Sequence, residues 1–307
     1  MSVLTREMTE ADLDGGLRLS RASGWNQALD DWRLLLSLGP GLFRVAVSDG
    51  RIVATGGAVR YGRDLAWICM ILVDPAERGH GLGTRIFDEV LDRTRRLRDA
   101  GELQAIGLDA TPLGLGIYLQ RGFVGVASRE PDAGSGESKS RPGAGPDLLR
   151  MRVEPPIPPA DAPTRGVALL SPGDLDGVLA LDRAVFGADR SAVLRWALAK
   201  APGLAYVARE GSRVRGYCFG RHGDHSDHVG PVVAEDAALA RDLVASCLSI
   251  GRRRPVILDA RSEPRWLSSL AALGFREQRP LTRLYLDEAR PEASPALEPV
   301  ILGPEFG

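Results

Sequence analysis

Cysteine and lysine are both scarce in this sequence. Its three cysteines, Cys69, Cys218 and Cys247, each stand alone inside an apolar segment, which excludes a disulfide framework and a C-x-x-C metal pair and indicates buried thiols. Positive charge comes almost entirely from arginine, because Lys139 and Lys200 are the two lysines. The net charge of −1 argues against a nucleic-acid partner, whose phosphate backbone normally requires a basic protein surface.

Long apolar runs are also absent. No stretch approaches the roughly 18 apolar residues of a membrane helix, so no membrane partner is expected. Residues 1–16 contain acidic residues and no apolar segment typical of an export signal, so we expect a cytoplasmic protein. The composition, 44% hydrophobic and 26% charged, is that of a globular protein, and the length of 307 residues favours two domains.

A glycine-rich turn from a strand into a helix is the most informative segment. An apolar strand ends at Val73, Pro75 interrupts it, and residues 78–83 (R-G-H-G-L-G) open an amphipathic helix. The N–H groups and the dipole of a helix N-terminus attract phosphate, and glycines let the backbone approach it. The spacing differs from the dinucleotide motif G-x-G-x-x-G, and Thr84 stands where a P-loop has lysine.

A second segment follows in the expected order. Residues 108–112 (L-D-A-T-P) precede Tyr118 and then Gly122 and Phe123. Together, the R-x-x-G-x-G turn and this Y-x-x-x-G-F segment resemble the acetyl-CoA pyrophosphate loop and the closing segment of the GNAT N-acetyltransferase superfamily. The resemblance implies an α/β fold with a mixed sheet, and acetyl-CoA (coenzyme A) as the acyl donor.

The resemblance also implies roles for particular residues. Tyr118 would be the general acid for the leaving thiolate, and Trp25, Asn26 and Gln27 would lie at the acceptor site. The coenzyme would contact the end of the strand with its pantetheine arm and the glycine-rich turn with its pyrophosphate, through Ile71, Leu72, Val73, Arg78, Gly79, His80, Gly81, Leu82, Gly83 and Thr84. No residue in the sequence identifies the general base or the acceptor.

The sequence repeats itself. The tetrapeptide D-L-D-G at 12–15 recurs at 174–177, and the pair Gly-Phe at 122–123 recurs at 274–275. Order-preserving repeats of this kind indicate a duplicated domain. We therefore predict two tandem GNAT-like acyltransferase domains, at 1–153 and 166–307, joined by a proline-rich linker at 154–165, with 148–153 as the last strand of the first domain.

The second copy lacks the glycine-rich turn. Glu235 and Asp236 stand where its helix begins, and their carboxylates would satisfy the helix dipole and repel a diphosphate. No tyrosine precedes Gly274 and Phe275 at the position of Tyr118. We therefore expect a catalytic first domain and a degenerate second domain without a pyrophosphate loop.

Hydrophobic periodicity predicts the elements of the first copy. Strands are expected at 3–6, 42–48, 52–60, 65–73, 104–109, 124–128 and 148–153, and helices at 12–21, 28–38, 83–99 and 113–120. Residues 129–146 have the composition of a loop, and residues 300–302 are expected to dock as a strand. His222, His225 and His228 favour a solvated hairpin loop over a metal site, so no metal is expected.

The predicted function is acetyl transfer from acetyl-CoA to the amine of a small molecule, by direct transfer in a ternary complex. A non-catalytic sensor of acyl-CoA or of a metabolite is an alternative, and so is an N-acetyltransferase that acts on proteins or peptides. The second domain would either shape the acceptor cleft or form the contact of a homodimer.

Overall fold

The computed structural model describes residues 3–125, 146–157, 166–249, 253–291 and 293–307. These residues form a mixed α/β structure. Its strands are β1 (Leu4–Glu7), β2 (Arg44–Ser48), β3 (Arg51–Tyr61), β4 (Leu65–Val73), β5 (Ala105–Ala110), β6 (Phe123–Gly125), β7 (Leu148–Val153), β8 (Val167–Leu169), β9 (Tyr206–Glu210), β10 (Arg213–His222), β11 (Asp227–Ala234), β12 (Val256–Arg261), β13 (Arg276–Leu286) and β14 (Val300–Ile301). Its helices are α1 (Leu13–Ala22), α2 (Leu29–Leu38), α3 (Leu82–Asp99), α4 (Pro112–Leu119), α5 (Leu175–Phe186), α6 (Ser191–Lys200), α7 (Ala237–Leu248) and α8 (Pro264–Ala272).

The two halves of the chain, residues 3–157 and 166–307, repeat one pattern of strands. In the first half β1, β2, β3 and β4 pair antiparallel in sequence order, and β4 pairs with β5 in parallel. In the second half β8, β9, β10 and β11 repeat the antiparallel series, and β11 pairs with β12 in parallel. All of them belong to one continuous sheet.

Helices cover both faces of the sheet in the first half. Trp32 and Leu35 of α2 pack on one face, in a cluster with Val59 and Trp67. Helix α3 covers the other face through an apolar stripe that includes Phe87. The tight turn between β2 and β3 is made by Asp49 and Gly50, whose φ angles of 49° and 76° are those of the two-residue turn that fits twisted strands.

The two halves exchange their late strands. β13, from the second half, pairs with β5 and with β6 of the first half. β7, from the first half, pairs with β12 and with the beginning of β13. The prediction that residues 148–153 form a strand is confirmed, but the expectation that this strand closes the first domain is wrong, because its partners belong to the second half.

Two buried ion pairs accompany the exchange. The tripeptide Leu-Asp-Ala occurs in both β5 and β12. Asp109 of β5 pairs with Arg283 of β13 at 2.8 Å, and Asp259 of β12 pairs with Arg150 of β7 at 2.7 Å. Each aspartate therefore binds an arginine carried by the exchanged strand. Removing one partner of such a pair would leave an uncompensated buried charge, which typically costs about 3–5 kcal/mol.

The C-terminal segment runs through both halves. β14 lies between β11 and β12 and pairs with each, so the prediction that 300–302 docks as a strand is confirmed. The strand passes close to Gly230, where a Cβ would lie 2.1 Å from the carbonyl oxygen of Ile301. Beyond β14 the segment reaches the first half, where the Tyr61 hydroxyl donates to the carbonyl of Phe306 and Trp67 Nε1 donates to that of Pro304.

Most predicted elements of the first half occur within one or two residues of the predicted bounds. The strand expected at 124–128 is described as Phe123–Gly125, and its remainder lies outside the described residues. The loop predicted at 129–146 and part of the linker predicted at 154–165 also lie outside them. Among the helices that the structure describes, none combines the length and the apolar character needed to cross a bilayer.

Candidate active site

The sheet opens into a gap between β4 and β5. The ladder that joins them covers three residue pairs and stops at Trp67 opposite Gly107, although β4 continues to Val73 and β5 to Ala110. β4 also bulges against β3: Met70 has a φ of 57°, and the Thr55 hydroxyl donates to its carbonyl at 2.9 Å. A bulge redirects backbone groups locally, and here it lies on the wall of the gap.

A narrow cavity of about 60 Å³ lies in this gap, and both halves of the chain line it. From the first half it is lined by Trp25, Gln27, Ile68, Cys69, Met70, Ile71, Leu108, Asp109, Thr111 and Tyr118. From the exchanged strands and the C-terminal segment it is lined by Arg150, Arg279, Leu281, Pro304 and Glu305. The structure therefore brings one coenzyme candidate (Ile71), the candidate acid and two acceptor-site candidates to one cavity.

Tyr118 projects from α4, a short helix that begins at Pro112 directly after β5. Its ring packs against Phe87 with the ring centroids 4.7 Å apart, and against Phe123 at 6.5 Å. Burial raises the pKa of Tyr118 to about 12. The phenol is therefore protonated at neutral pH, which is the state a general acid must have.

The glycine-rich turn lies at the open end of the gap. Gly79 and Gly81 have φ angles of 83° and 74°, a left-handed conformation that favours glycine. No neighbouring atom lies within 4 Å of the position of a Cβ at either residue, so the turn has an open face. Gly83 packs close to β4, since a Cβ there would lie 3.2 Å from a methyl group of Val73.

The N-terminus of α3 has no cap of its own. The helix begins at Leu82 after Gly81, no side chain accepts a hydrogen bond there, and its first turn contains no acidic residue. The first N–H groups of a helix lack intrahelical partners, so those of Leu82, Gly83 and Thr84 are available to an anion. Arg78 and His80 are exposed beside them and add positive charge or hydrogen-bond donors.

The three predicted acceptor-site residues, between α1 and α2, divide into two kinds. Trp25 and Gln27 line the cavity, but Asn26 does not. The Asn26 side chain accepts hydrogen bonds from the N–H groups of His225 and Ser226 and donates to the Ser226 carbonyl. It therefore binds the first half to the β10–β11 hairpin. The expectation that His222, His225 and His228 lie in a solvated loop is wrong for His228, which is fully buried in β11, whereas His222 and His225 are exposed.

Sequence reasoning did not find the cavity residues Arg150, Arg279 and Glu305. They reach the cavity because of the strand exchange and the path of the C-terminal segment, and both depend on contacts between residues more than 100 positions apart. The shared Leu-x-Arg pattern at residues 148–150 and 281–283 was a signal that these strands are counterparts. It could not tell which half each strand would join.

The equivalent gap of the second half has a different content. β14 fills the space between β11 and β12. At the start of α7 the carboxylate of Asp236 accepts a hydrogen bond from the N–H of Leu239 at 2.8 Å, so the protein itself caps this helix. Glu235 forms ion pairs with Arg213 and Arg215.

A larger cavity, about 1050 Å³, lies on the second half's side of the exchanged strands. Phe186, Arg261, Leu267 and Arg283 are among the residues that line it. Neither Tyr118 nor the glycine-rich turn contributes to it, so we assign the candidate active site to the smaller cavity between β4 and β5. Groups of acidic, histidine and cysteine side chains able to hold a metal are absent from the part of the chain that the structure describes.

Comparison with known families gives a match in each half. The model described as the acetyltransferase (GNAT) family matches residues 7–123. The model described as the acetyltransferase (GNAT) domain matches residues 178–296. The first match includes β4, the glycine-rich turn and Tyr118, and the second includes β11, β12 and α7.

Two relatives are similar over most of the chain. The uncharacterized N-acetyltransferase YitH of Bacillus subtilis is 25% identical over 286 residues, which are 92% of each chain. Holothin acyltransferase of a Pseudoalteromonas species is 23% identical over 266 residues, 86% of this chain and 81% of the relative.

Solved structures show the same fold. A putative acetyltransferase from Pyrococcus horikoshii has a TM-score of 0.75 at 19% identity and covers 99% of this chain and 96% of its own. A tandem GNAT protein from the clavulanic acid biosynthesis pathway has a TM-score of 0.61 at 14% identity, with coverage of 92% and 98%. The protein is therefore an acyltransferase of the GNAT family, with two GNAT domains in tandem.

Proposed function

We propose that the first GNAT domain transfers an acetyl group from acetyl-CoA to the amine of a small molecule, by direct transfer in a ternary complex. The observation that carries this proposal is the continuity of three features: the uncapped turn at 78–84, the gap between β4 and β5, and Tyr118 on the cavity wall. GNAT enzymes generally use acetyl-CoA, which supplies the acetyl thioester as acyl donor.

The residues of the turn and strand fit such a donor. The open face at Gly79 and Gly81 and the uncapped N–H groups of α3 suit a pyrophosphate. Beyond Trp67 the edge of β4 that faces β5 has no ladder partner within residues 3–125, so its backbone groups are available to the amide groups of a pantetheine arm. We assign that role to Ile71, Leu72 and Val73.

Direct transfer requires two proton movements. The amine nitrogen forms a bond to the acetyl carbon as the carbon–sulfur bond breaks, the amine loses a proton, and the leaving thiolate gains one. We assign the second proton to the Tyr118 hydroxyl, a role typically worth about 10²–10⁴-fold in rate. Backbone N–H groups near Leu72 and Val73 are the proposed donors to the oxyanion.

Cys69 also lines the cavity, which raises a two-step route through an acyl-cysteine. Burial raises the pKa of its thiol well above the usual value, so the reactive thiolate is disfavoured. No histidine lines the cavity among the described residues, so an adjacent imidazole base is lacking. Direct transfer is therefore the better-supported route, and Cys69→Ala should retain most of the activity.

We further propose that the second domain binds no acetyl-CoA. Its gap holds β14, and its helix α7 is capped by Asp236, so both features that suit the coenzyme in the first domain are replaced by the protein's own groups. Its proposed role is to complete the acceptor site, because Arg279, Pro304 and Glu305 of the second half line the cavity of the first.

Tyr118→Phe tests the proposal, with Tyr285→Phe as the matched control, since Tyr285 lies at the larger cavity. We expect Tyr118→Phe to lower thiol release across a panel of amines by about 10²–10⁴-fold. Binding of acetyl-CoA, measured by calorimetry, should stay within a few-fold of the unmodified protein in both variants.

Two results would contradict the proposal in different ways. Tight acetyl-CoA binding without turnover of any small amine or peptide would favour a sensor. Turnover of peptides with no turnover of small amines would make the protein a peptide N-acetyltransferase.

A further inference from the structure

The charges around the cavity are mostly neutralised in pairs. Arg150 pairs with Asp259, and Asp109 pairs with Arg283. A single guanidinium, that of Arg221, lies between two carboxylates, those of Asp31 at 2.8 Å and of Glu305. The side chains of all seven residues are buried, with an exposed fraction of 7% or less.

Arg279 is the exception. Its side chain lines the cavity, and no ion pair joins it to an acidic side chain of the described residues. Its Nε atom is buried without a hydrogen-bond partner. Its guanidinium carbon lies 5.9 Å from the centroid of the Trp25 ring. An unsatisfied buried donor of this kind costs roughly 1–3 kcal/mol unless a ligand satisfies it.

The neighbours of Arg279 strengthen the argument. In the ladder of β13 with β7, Arg279 lies directly opposite Arg150, and like charges at opposite positions repel. Arg150 forms an ion pair with Asp259, whereas among the described residues no carboxylate forms one with Arg279, on which Asp259 and Glu305 act from a longer distance. Burial and the charge of Arg150 lower the pKa of Arg279 to about 10, so the guanidinium is still cationic at neutral pH.

A carboxylate also lines the cavity, that of Glu305. Glu305 lines it and shares Arg221 with Asp31, so two carboxylates face one guanidinium. The pKa of Glu305 is lowered: burial alone would raise it, but Arg221 and His228 outweigh that effect. An ionised Glu305 would therefore attract the ammonium form of an incoming amine. Arg279, which has no ion-pair partner at contact distance among the described residues, and the carboxylate of Glu305 therefore face the same small space.

We infer that the acceptor is a small amino carboxylate whose carboxylate binds Arg279 and whose amine faces Glu305. This inference rests on the proposed function and narrows its substrate class. The planar guanidinium offers two parallel donors to a carboxylate, and the Trp25 ring provides a flat apolar neighbour beside it.

The test compares amino acids with their own primary amides. With acetyl-CoA present, kcat/KM is measured for each of the standard amino acids and for its carboxamide, in the unmodified protein, Arg279→Gln and Arg279→Lys. Arg276→Gln is the control, because Arg276 is an exposed arginine of the same strand. Calorimetry with coenzyme A present measures binding of the same amino acids without turnover.

We expect at least one amino acid to be preferred over its amide by about 10–100-fold, the usual range for charge-assisted hydrogen bonds. Arg279→Gln should abolish this preference, Arg279→Lys should keep part of it, and Arg276→Gln should leave it intact. Equal use of acid and amide, or a preference that survives in Arg279→Gln, would overturn the inference while leaving acetyl transfer established. Amino acids that bind with the same Arg279 dependence but are not acetylated would support this inference and contradict the proposed function.

Discussion

Between β4 and β5 the sheet holds a cavity, whereas between β11 and β12 the equivalent gap holds the strand β14. The helices that follow β4 and β11, α3 and α7, also differ at their N-termini. The N-terminus of α3 is uncapped and glycine-rich, and that of α7 is capped by the carboxylate of Asp236. Both copies thus have the GNAT framework. The backbone N–H groups at the helix N-terminus lack a side-chain cap in the first copy, whereas in the second copy an aspartate of the protein caps the helix.

The difference teaches that a fold and a ligand site are separable. The antiparallel series, the parallel pair and the Leu-Asp-Ala strand occur in both halves. The open turn is present in one half, and its absence from the other leaves the sheet intact. Similarity of the two domains therefore does not imply two coenzyme sites.

The largest expected effect comes from separating the halves. Expressed alone, residues 1–157 lack β13 beside β5, and residues 158–307 lack β7 beside β12. Each fragment also leaves Asp109 or Asp259 without its arginine, so neither should give a cooperative thermal transition as a monomer. Co-expressed fragments should form a soluble 1:1 complex by gel filtration.

A monomeric, cooperatively folding 1–157 fragment would contradict this prediction. It would mean that Arg150 of β7 can replace Arg283 as the partner of Asp109, which the shared Leu-x-Arg pattern allows. Each domain could then exist with its own late strand.

The second prediction concerns the number of coenzyme sites. Calorimetry should give one acetyl-CoA per chain, and Gly81→Val should weaken binding by about tenfold or more. A β-branched residue is strained at a φ of 74°, by roughly 1–2 kcal/mol, and its side chain would cover the open face of the turn.

Asp236→Ala is the matched change in the second domain. Loss of this cap should cost about 1 kcal/mol of unfolding free energy and leave the stoichiometry at one. A second binding event, in the unmodified protein or in this variant, would show that β14 does not close the gap of the second domain to the coenzyme.

The smallest expected effect concerns two equivalent aspartates: Asp12 accepts a hydrogen bond from the N–H of Thr9, and Asp174 accepts one from the N–H of Ser171. The hydrogen bond from Arg6 lowers the pKa of Asp12 to about 2, below the usual value of about 4 for an unfolded chain. Asp12→Asn should therefore cost about 1–2 kcal/mol of unfolding free energy at pH 7, after allowance for the 43% exposure of the Arg6 side chain. The difference should disappear as the pH falls from 4 to 2, measured by urea denaturation.

Asp174, the counterpart of Asp12, gives the comparison. Burial raises its pKa, but hydrogen bonds from Ser171 and the contact with Arg209 lower it overall. Asp174→Asn should therefore also lose unfolding free energy at pH 7, and this loss should disappear as the pH falls. A loss that persists at pH 2 would mean that the charge of Asp174 does not stabilise the fold.

Local features were predictable from the sequence. The strand at 65–73 was predicted with its observed bounds, and the helix after the glycine-rich turn begins one residue before the predicted start, at Leu82. Both follow from short-range patterns: a continuous apolar run, a proline break and 3.6-residue periodicity. The path from this turn to Tyr118 is likewise contained within a single strand–helix–strand unit.

The exchange of strands was not predictable in this way. Arg150 and Arg283 occupy the same place in the same pattern, so the sequence contains no local reason for either to choose the other half. Arg279 and Glu305 reach the cavity as a result of that choice. Asn26 shows the converse: it is adjacent in sequence to two residues that line the cavity, but its own amide binds the neighbouring hairpin and does not line the cavity.

The C-terminal segment makes the structures of the two domains interdependent. The same nine residues, 299–307, close the gap of the second domain and supply Pro304 and Glu305 to the cavity of the first. Displacing β14 to open the gap of the second domain would also remove part of the wall of the first domain's cavity. On the assignment proposed above, a coenzyme site in the second domain and the present acceptor cavity of the first would therefore exclude each other.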